Sequence, residues 1–275
     1  MTTLLAVPNV SEGRDPEAVR AIGAAFASTG ARLLDVHADA DHHRSVFTLA
    51  GEPGELAPAL AAGAREVMER VDLREPRGSH PHVGALDVAP VVHLDRARRG
   101  AACAEALVAA DLLGELGLPV QLYGALAGGR SRAELRRPGG LDGLASVFGP
   151  SERGARPGTV LVAARPPLVA FNLELAAPAT LDDARRVAAR VREGGEDGLP
   201  GVRALGIGLR GGVAQVSTNV EDHDAVPLAR LLAAVQRHAP VAEGELVGLA
   251  PAAAFAGWPD GIAVRNRRTV EEALE

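Results

Sequence analysis

Apolar positions change period several times along the chain, and each change marks an element. Residues 4–10 form a near-continuous apolar run that predicts a strand, running out into the loop Asn9-Val10-Ser11-Glu12-Gly13. Asp15 as N-cap, with Pro16 at the first helical position, opens a helix that Gly30 is placed to end. Residues 31–36 and 44–51 predict two strands joined by the link His37-Ala38-Asp39-Ala40-Asp41-His42-His43. Residues 55–71 carry helical periodicity, 85–94 read as a strand covered on both faces, and 101–116 as a helix ended by Gly117. A further strand is expected over 119–127. The stretch 128–157, rich in Gly, Arg and Pro, predicts loop with short helical pieces.

A second series of elements follows. Residues 168–175 predict a strand, and Thr180 with Asp183 forms a capping-box pattern opening a helix to about residue 193. Gly211-Gly212 between the alternating runs 202–210 and 213–220 predicts a hairpin with a two-residue primed turn. A helix from Pro227 to residue 238, a strand over 241–249 and a short helix over 269–274 complete the pattern. This order suggests a small sheet with helices on one face. Two parts are therefore expected, residues 1–166 and 167–275, and no repeat of fixed period is visible.

Composition narrows the function. At 275 residues with 47% hydrophobic but only 3% aromatic residues, the cores must be built from Ala, Val and Leu. A net charge of -6 gives no general electrostatic reason to bind nucleic acid or an anionic membrane. The opening residues carry no basic segment and Pro8 interrupts their apolar run, so no signal peptide is expected, nor any membrane span, and the chain is placed in the cytoplasm. All 29 basic residues are arginine, which removes Schiff-base, pyridoxal-phosphate and P-loop-lysine chemistry. Cys103, the single cysteine, sits in an Ala-rich helical pattern and reads as packing.

The candidate chemistry centres on EPRGSHPHVGALDVAP, residues 75–90, where His80 and His82 flank Pro81 in a loop bracketed by Gly78 and Gly84. An imidazole on a stiff loop leading into a buried strand suits proton transfer near neutral pH, although a surface turn with two solvated histidines has the same letters. Five of the eight histidines lie between residues 37 and 82, together with Asp35, Asp39 and Asp41. Alternating Asp and His on an extended segment could hold a metal, as in a metal-dependent hydrolase; a solvated acidic turn is the plainer reading. Arg44 could clamp a carboxylate or form an ordinary ion pair. GPSERGARPG, residues 149–158, could fold over an anionic ligand or serve as a linker.

Taken together and in order, several motifs resemble the formiminotransferase domain family. VPNVSEG at 7–13, LLDV at 33–36, SVFT at 45–48, GSHPHVGALDV at 78–88, LYG at 122–124, FGP at 148–150, AFN at 170–172, AQVSTN at 214–219 and LVGL at 246–249 cover nearly the whole chain. The resemblance implies an α/β (α+β) fold of two subdomains, an N-terminal mixed β-sheet with helices and a C-terminal split βαβ sheet with helices on one face, with folate in the groove between them. It implies transfer of a formimino, or formyl, group between N-formimino-L-glutamate and tetrahydrofolate, the latter a co-substrate, without a metal. His80 takes the catalytic position. Substrate or folate contacts are expected from Asn9, Glu12, Asp35, His37, Arg44, His82, Asn172 and Asn219, and from Gly149, Pro150, Ser151, Arg153, Arg156 and Gly158 of the folate loop. A homodimer is expected, with neither nucleic acid nor membrane as partner. Longer members continue into a cyclodeaminase domain, so only the transferase step is implied here. Ser79, His82 and His37 depart from the family pattern, where glutamate, arginine and aspartate stand. A folate-binding paralogue without turnover is the alternative they suggest.

Overall fold

Pro8 splits the first apolar run. In the computed structural model, which describes residues 3–74, 82–152 and 154–275, that run forms two short strands, β1 (Leu4–Ala6) and β2 (Asn9–Val10). Proline has no N–H to contribute to a ladder, so the single expected strand breaks there. The helix α1 (Pro16–Phe26) starts as expected, with Asp15 accepting from the N–H groups of Glu17 and Ala18. The strands β3 (Arg32–Asp39) and β4 (Arg44–Gly51) follow. β3 runs three residues further than its sequence pattern indicated, leaving only a short turn in place of the longer His/Asp link.

The helix α2 (Leu56–Arg70) has no cap from its own N-terminal residue. Glu105, buried on the later helix, supplies one: its carboxylate accepts from Gly54 N at 2.6 Å and Ala57 N at 2.7 Å, satisfying N–H groups that a helix start leaves orphaned. The strand β5 (Leu86–Val92) is buried throughout, and α3 (Arg99–Glu115) carries Glu105. β6 (Val120–Leu122) is only three residues long, and a 3-10 turn over Gly124–Ala127 replaces the rest of the expected strand. After α4 (Arg132–Arg136) comes β7 (Val160–Arg165), which hydrophobic periodicity did not separate from the preceding loop.

Among the described residues these seven strands form one mixed sheet. Counting β1 and β2 as halves of one interrupted strand, the order is β3-β4-(β1, β2)-β5-β7-β6; β5, β7 and β6 run parallel and the remaining pairs antiparallel. Helices α1, α2 and α3 pack on one face, where Ile22, Phe26, Leu60, Val67 and Leu113 are buried against Phe47, Leu49 and Val91. Gly63 permits a close contact between α1 and α2, since a Cβ there would lie 2.1 Å from the Phe26 ring. A smaller core of Val88, Tyr123, Leu135, Leu141, Leu161 and Ala163 joins the sheet to α4 and its flanking turns.

The chain divides into two compact units, Met1–Pro166 and Pro167–Glu275. The second is built from β8 (Val169–Leu175), α5 (Leu181–Val191), β9 (Val202–Gly208), β10 (Ala214–Val220), α6 (Leu228–Gln236), β11 (Val241–Val247), β12 (Val264–Arg265) and α7 (Val270–Leu274). Its sheet order is β12-β11-β8-β10-β9. The Thr180–Asp183 capping box is present. The β9–β10 connection corrects the expected two-residue turn: Leu209 N bonds Val213 O at 2.9 Å, enclosing Arg210, Gly211 and Gly212. Both glycines nevertheless adopt positive φ, at 79° and 81°, the conformation that favours glycine. The helices α5 and α6 cover one face, with Val187, Leu231 and Val235 against Phe171, Leu173 and Val216.

Candidate active site

A β-bulge sets the centre of the first unit. Asn9 pairs with Val88 and Val10 with Leu86, which leaves Asp87 as the extra residue on β5. Bulges re-aim side chains; here a fully buried carboxylate results. Asp87 Oδ2 accepts from Arg44 Nη1 at 2.9 Å and from Arg136 Nη2, and Oδ1 accepts from Val83 N at 2.8 Å. Asn9 holds the other edge of Arg44, its Oδ1 accepting from Nε at 2.9 Å and Nη2 at 2.8 Å. A buried charge is tolerable only when paired and hydrogen-bonded, and this one is.

The network is rich in guanidinium. Burial pushes Arg44 down to about 10, with neighbouring Arg136 acting in the same direction and Asp87 opposing it. Arg132, one turn before Arg136 on α4, is pushed down to about 9 by burial and then by Arg136, with Arg44 and Arg165 adding to the effect and Tyr123 opposing it. Both remain cations at neutral pH. Tyr123 directly follows β6 and is buried.

The Val83 bond also anchors the exit of the segment 75–81. Around it, Thr159 N donates to Val83 O at 2.8 Å, Ala85 N to Pro157 O at 2.8 Å, and Leu73 N to Arg156 O at 3.1 Å. Gly84 is required at this crossing, because a Cβ would lie 2.2 Å from Thr159 O. Leu73, Val83 and Ala85 are thus bonded to the stretch 156–159. His80, and Ser79 beside it, lie outside the described residues, as does Arg153; His82, at the described edge, is partly exposed.

The other expected residues separate into different settings. Glu12 Oε1 accepts from the backbone N–H groups of Arg14 at 2.7 Å and Asp15 at 3.0 Å and lies 3.4 Å from His43 Nδ1, so it organises the entry to α1. Asp35 and His37 lie on β3, opposite Thr48 and Val46, both partly exposed. Beyond them Asp39 closes the turn: its carboxylate meets His42 Nδ1 at 2.7 Å and accepts from the backbone N–H groups of Asp41 at 2.7 Å and His42 at 2.9 Å. Burial pushes the Asp39 carboxyl up, but the His42 ring and these N–H groups outweigh it and hold it well below the usual carboxylate range. Among the described residues, no group of three or more His, Cys, Asp or Glu is placed to hold a metal ion.

In the 149–158 loop, Pro150 and Ser151 are exposed. Gly149, at φ 74°, packs on the α3–β6 turn, where a Cβ would lie 2.2 Å from Leu118 O; Gly158, at φ 66°, packs on Val83. Arg156 Nη2 donates to Glu69 O at 2.7 Å, tying the loop to the end of α2.

In the second unit, Asn172 and Asn219 lie on neighbouring strands, where Asn172 faces Ser217 and Ala170 faces Asn219. Asn172 is buried, its Nδ2 donating to Glu245 Oε2 at 3.0 Å. Glu174, Glu243 and Glu245 share Arg265, whose Nη1 lies 3.4 Å from Glu243 and whose Nη2 lies 3.5 Å from Glu245 and closer still to Glu174. Burial raises Glu174 above its ordinary value, and Arg265 opposes the rise.

Asp87, Tyr123, Arg132 and Arg136 were not singled out from sequence. A signal existed for Asp87: a lone carboxylate in an otherwise apolar covered strand must find buried cations. The others carried none, since the Arg-rich stretch 128–157 gave no hint of which arginine turns inward.

Residues 3–165 match the family profile described as formiminotransferase domain, N-terminal subdomain, and residues 170–268 match formiminotransferase domain. The chain is 32% identical to glutamate formimidoyltransferase of Streptococcus pyogenes serotype M1, covering 90% of this chain and 89% of that protein. The protein of the same name from Thermoplasma acidophilum is 32% identical, with 91% and 89% covered. Formimidoyltransferase-cyclodeaminase of Rattus norvegicus is 35% identical over 89% of this chain. The chain spans about half the length, 49%, of the latter.

Proposed function

This chain belongs to the formiminotransferase domain family, and on that premise we propose that it transfers a formimino group from N-formimino-L-glutamate to tetrahydrofolate. Tetrahydrofolate enters as co-substrate, and no metal is required. The observation that carries this reading beyond the family match is the Asn9–Arg44–Asp87–Arg136 network, which fixes Val83 at the exit of the segment holding His80. A cation-rich network that binds Val83, three residues along the chain from His80, suits two substrates that both carry carboxylates.

In the proposed reaction, N5 of tetrahydrofolate attacks the formimino carbon and loses a proton, and the departing glutamate nitrogen gains one. His80 accepts the first and delivers the second, as one group titrating near neutrality can. The 149–158 loop is assigned to the folate side, with Arg153 and the exposed Pro150 and Ser151 as contacts; Asn172 and Asn219 are assigned to substrate binding from the second unit.

The test is a steady-state assay with formiminoglutamate and tetrahydrofolate. Turnover is expected, with His80→Ala lowering kcat by about two to four orders of magnitude and His82→Ala much less. Stoichiometric tetrahydrofolate binding without turnover would sink the transferase reading and leave a folate-binding protein.

A further inference from the structure

Beside Asp87 stand polar groups that the network itself does not use. The Tyr123 hydroxyl is buried and, among the described residues, has no hydrogen-bond partner; Arg136 Nε is in the same state. Tyr123 is 7% exposed and the Arg136 side chain 9%. Native interiors rarely leave such atoms unsatisfied, so a buried hydroxyl donor and a guanidinium N–H in one cluster call for an acceptor from elsewhere.

Arg132 strengthens the case. It shares a helix face with Arg136, four residues on, is partly buried, and no ion pair joins it among the described residues. The charged groups that dominate its surroundings are Arg136, Arg44 and Arg165, with Tyr123 alongside. Asp87 already serves Arg44 and Arg136. Hydroxyl and guanidinium donors in cationic excess, with no acceptor supplied, are the complement of a carboxylate: two oxygens, one negative charge, acceptor only.

We propose that Tyr123, Arg132 and Arg136 bind a carboxylate of the donor's glutamate moiety, with Asp87 and Arg44 as the fixed wall behind them. The glutamate assignment rests on the formimino-transfer reading above; the carboxylate site does not. Asp87 acts here as a positioning residue, since its oxygens are occupied by Arg44, Arg136 and Val83.

Folate also carries a glutamate, so the experiment separates the two sources. Calorimetric titration of the full chain with L-glutamate, tetrahydrofolate and tetrahydropteroate, which lacks the glutamate, is made for wild type, Tyr123→Phe and Arg132→Gln. Both substitutions are mild, one removing a single hydroxyl and the other truncating a partly exposed side chain; circular dichroism confirms folding. Each variant is expected to weaken L-glutamate binding about ten- to hundred-fold, the loss of a charge-assisted hydrogen bond, and to leave tetrahydropteroate affinity unchanged. Unchanged binding of both L-glutamate and tetrahydrofolate in both folded variants, or no L-glutamate binding by wild type, overturns the pocket. Weakened tetrahydrofolate with unchanged L-glutamate overturns its assignment to the donor. Wild type that binds L-glutamate through these residues but does not turn over formiminoglutamate leaves the pocket standing and defeats only the transferase reading.

Discussion

Asp87 shows how one residue can set the character of a site. It occupies a strand whose other members are Leu, Val, Ala and Pro, and it is fully buried. The bulge at Asn9 and Val10 gives it a direction, and Arg44 and Arg136 give it its charge balance. Asp87→Asn keeps the shape but leaves two buried guanidinium groups without their anion. Breaking a buried pair in this way typically costs about 3–5 kcal/mol, and that loss is expected in the urea unfolding midpoint of the variant. A cost under ~1 kcal/mol, the range of exposed ion pairs, would show that the network is open to water. Sequence supplied half of this residue-scale picture. Asn9 and Arg44 stood out as candidates, but the carboxylate that Arg44 meets, Asp87, is 43 residues further along the chain and Arg136 a further 49. Residue type is visible in a sequence; the partner across such a separation is set by strand register and by the bulge.

At the scale of elements, legibility followed locality. The N-cap Asp15 and the capping box at Thr180 and Asp183 are contained in a few consecutive residues, and both were readable. β7 was not: its covered apolar run follows directly on a Gly/Pro loop, without the alternation that marks a half-buried strand. The turn between β3 and β4 lay between these cases, its Asp and His letters being conspicuous while their use was hidden. Asp39 caps that turn through His42 and two backbone N–H groups. Its folded pKa lies below the unfolded carboxylate value of ~3.9, so the unfolded chain binds the proton more readily. The stabilisation from this carboxylate is therefore complete above that value and is lost as pH falls below it toward the folded pKa. Wild type should exceed Asp39→Asn in stability at pH 7, with the gap narrowing as pH falls below about 4. Parallel unfolding curves at pH 7, 5 and 3 check this, and a gap that widens toward acid would contradict the role given to Asp39.

On the whole-molecule scale, the largest apolar core of each unit, among the described residues, is built only from that unit's own residues. In the second, Phe171 is the hub: Trp258 stands edge-on to it with ring centroids 5.2 Å apart, Phe255 lies 6.3 Å away, and a Cβ at Gly244 would meet its ring at 2.5 Å. Trp258 is further fixed by its Nε1 donating to Ile262 O at 2.9 Å. All these partners lie within Pro167–Glu275, a length at which single domains fold alone. A fragment of residues 167–275 should therefore fold by itself. The chain's single tryptophan makes this measurable, since its near-UV circular dichroism depends on fixed packing against Phe171. The fragment is expected to keep that signal and to lose it in one cooperative urea transition, together with the far-UV signal. A fragment with helical far-UV circular dichroism, no near-UV signal and strong dye binding would be a molten globule, and the second core would then be incomplete without the first unit. The residues proposed for chemistry lie in both units, His80, Arg44 and Tyr123 in one and Asn172 and Asn219 in the other, so a folded fragment should still transfer no formimino group.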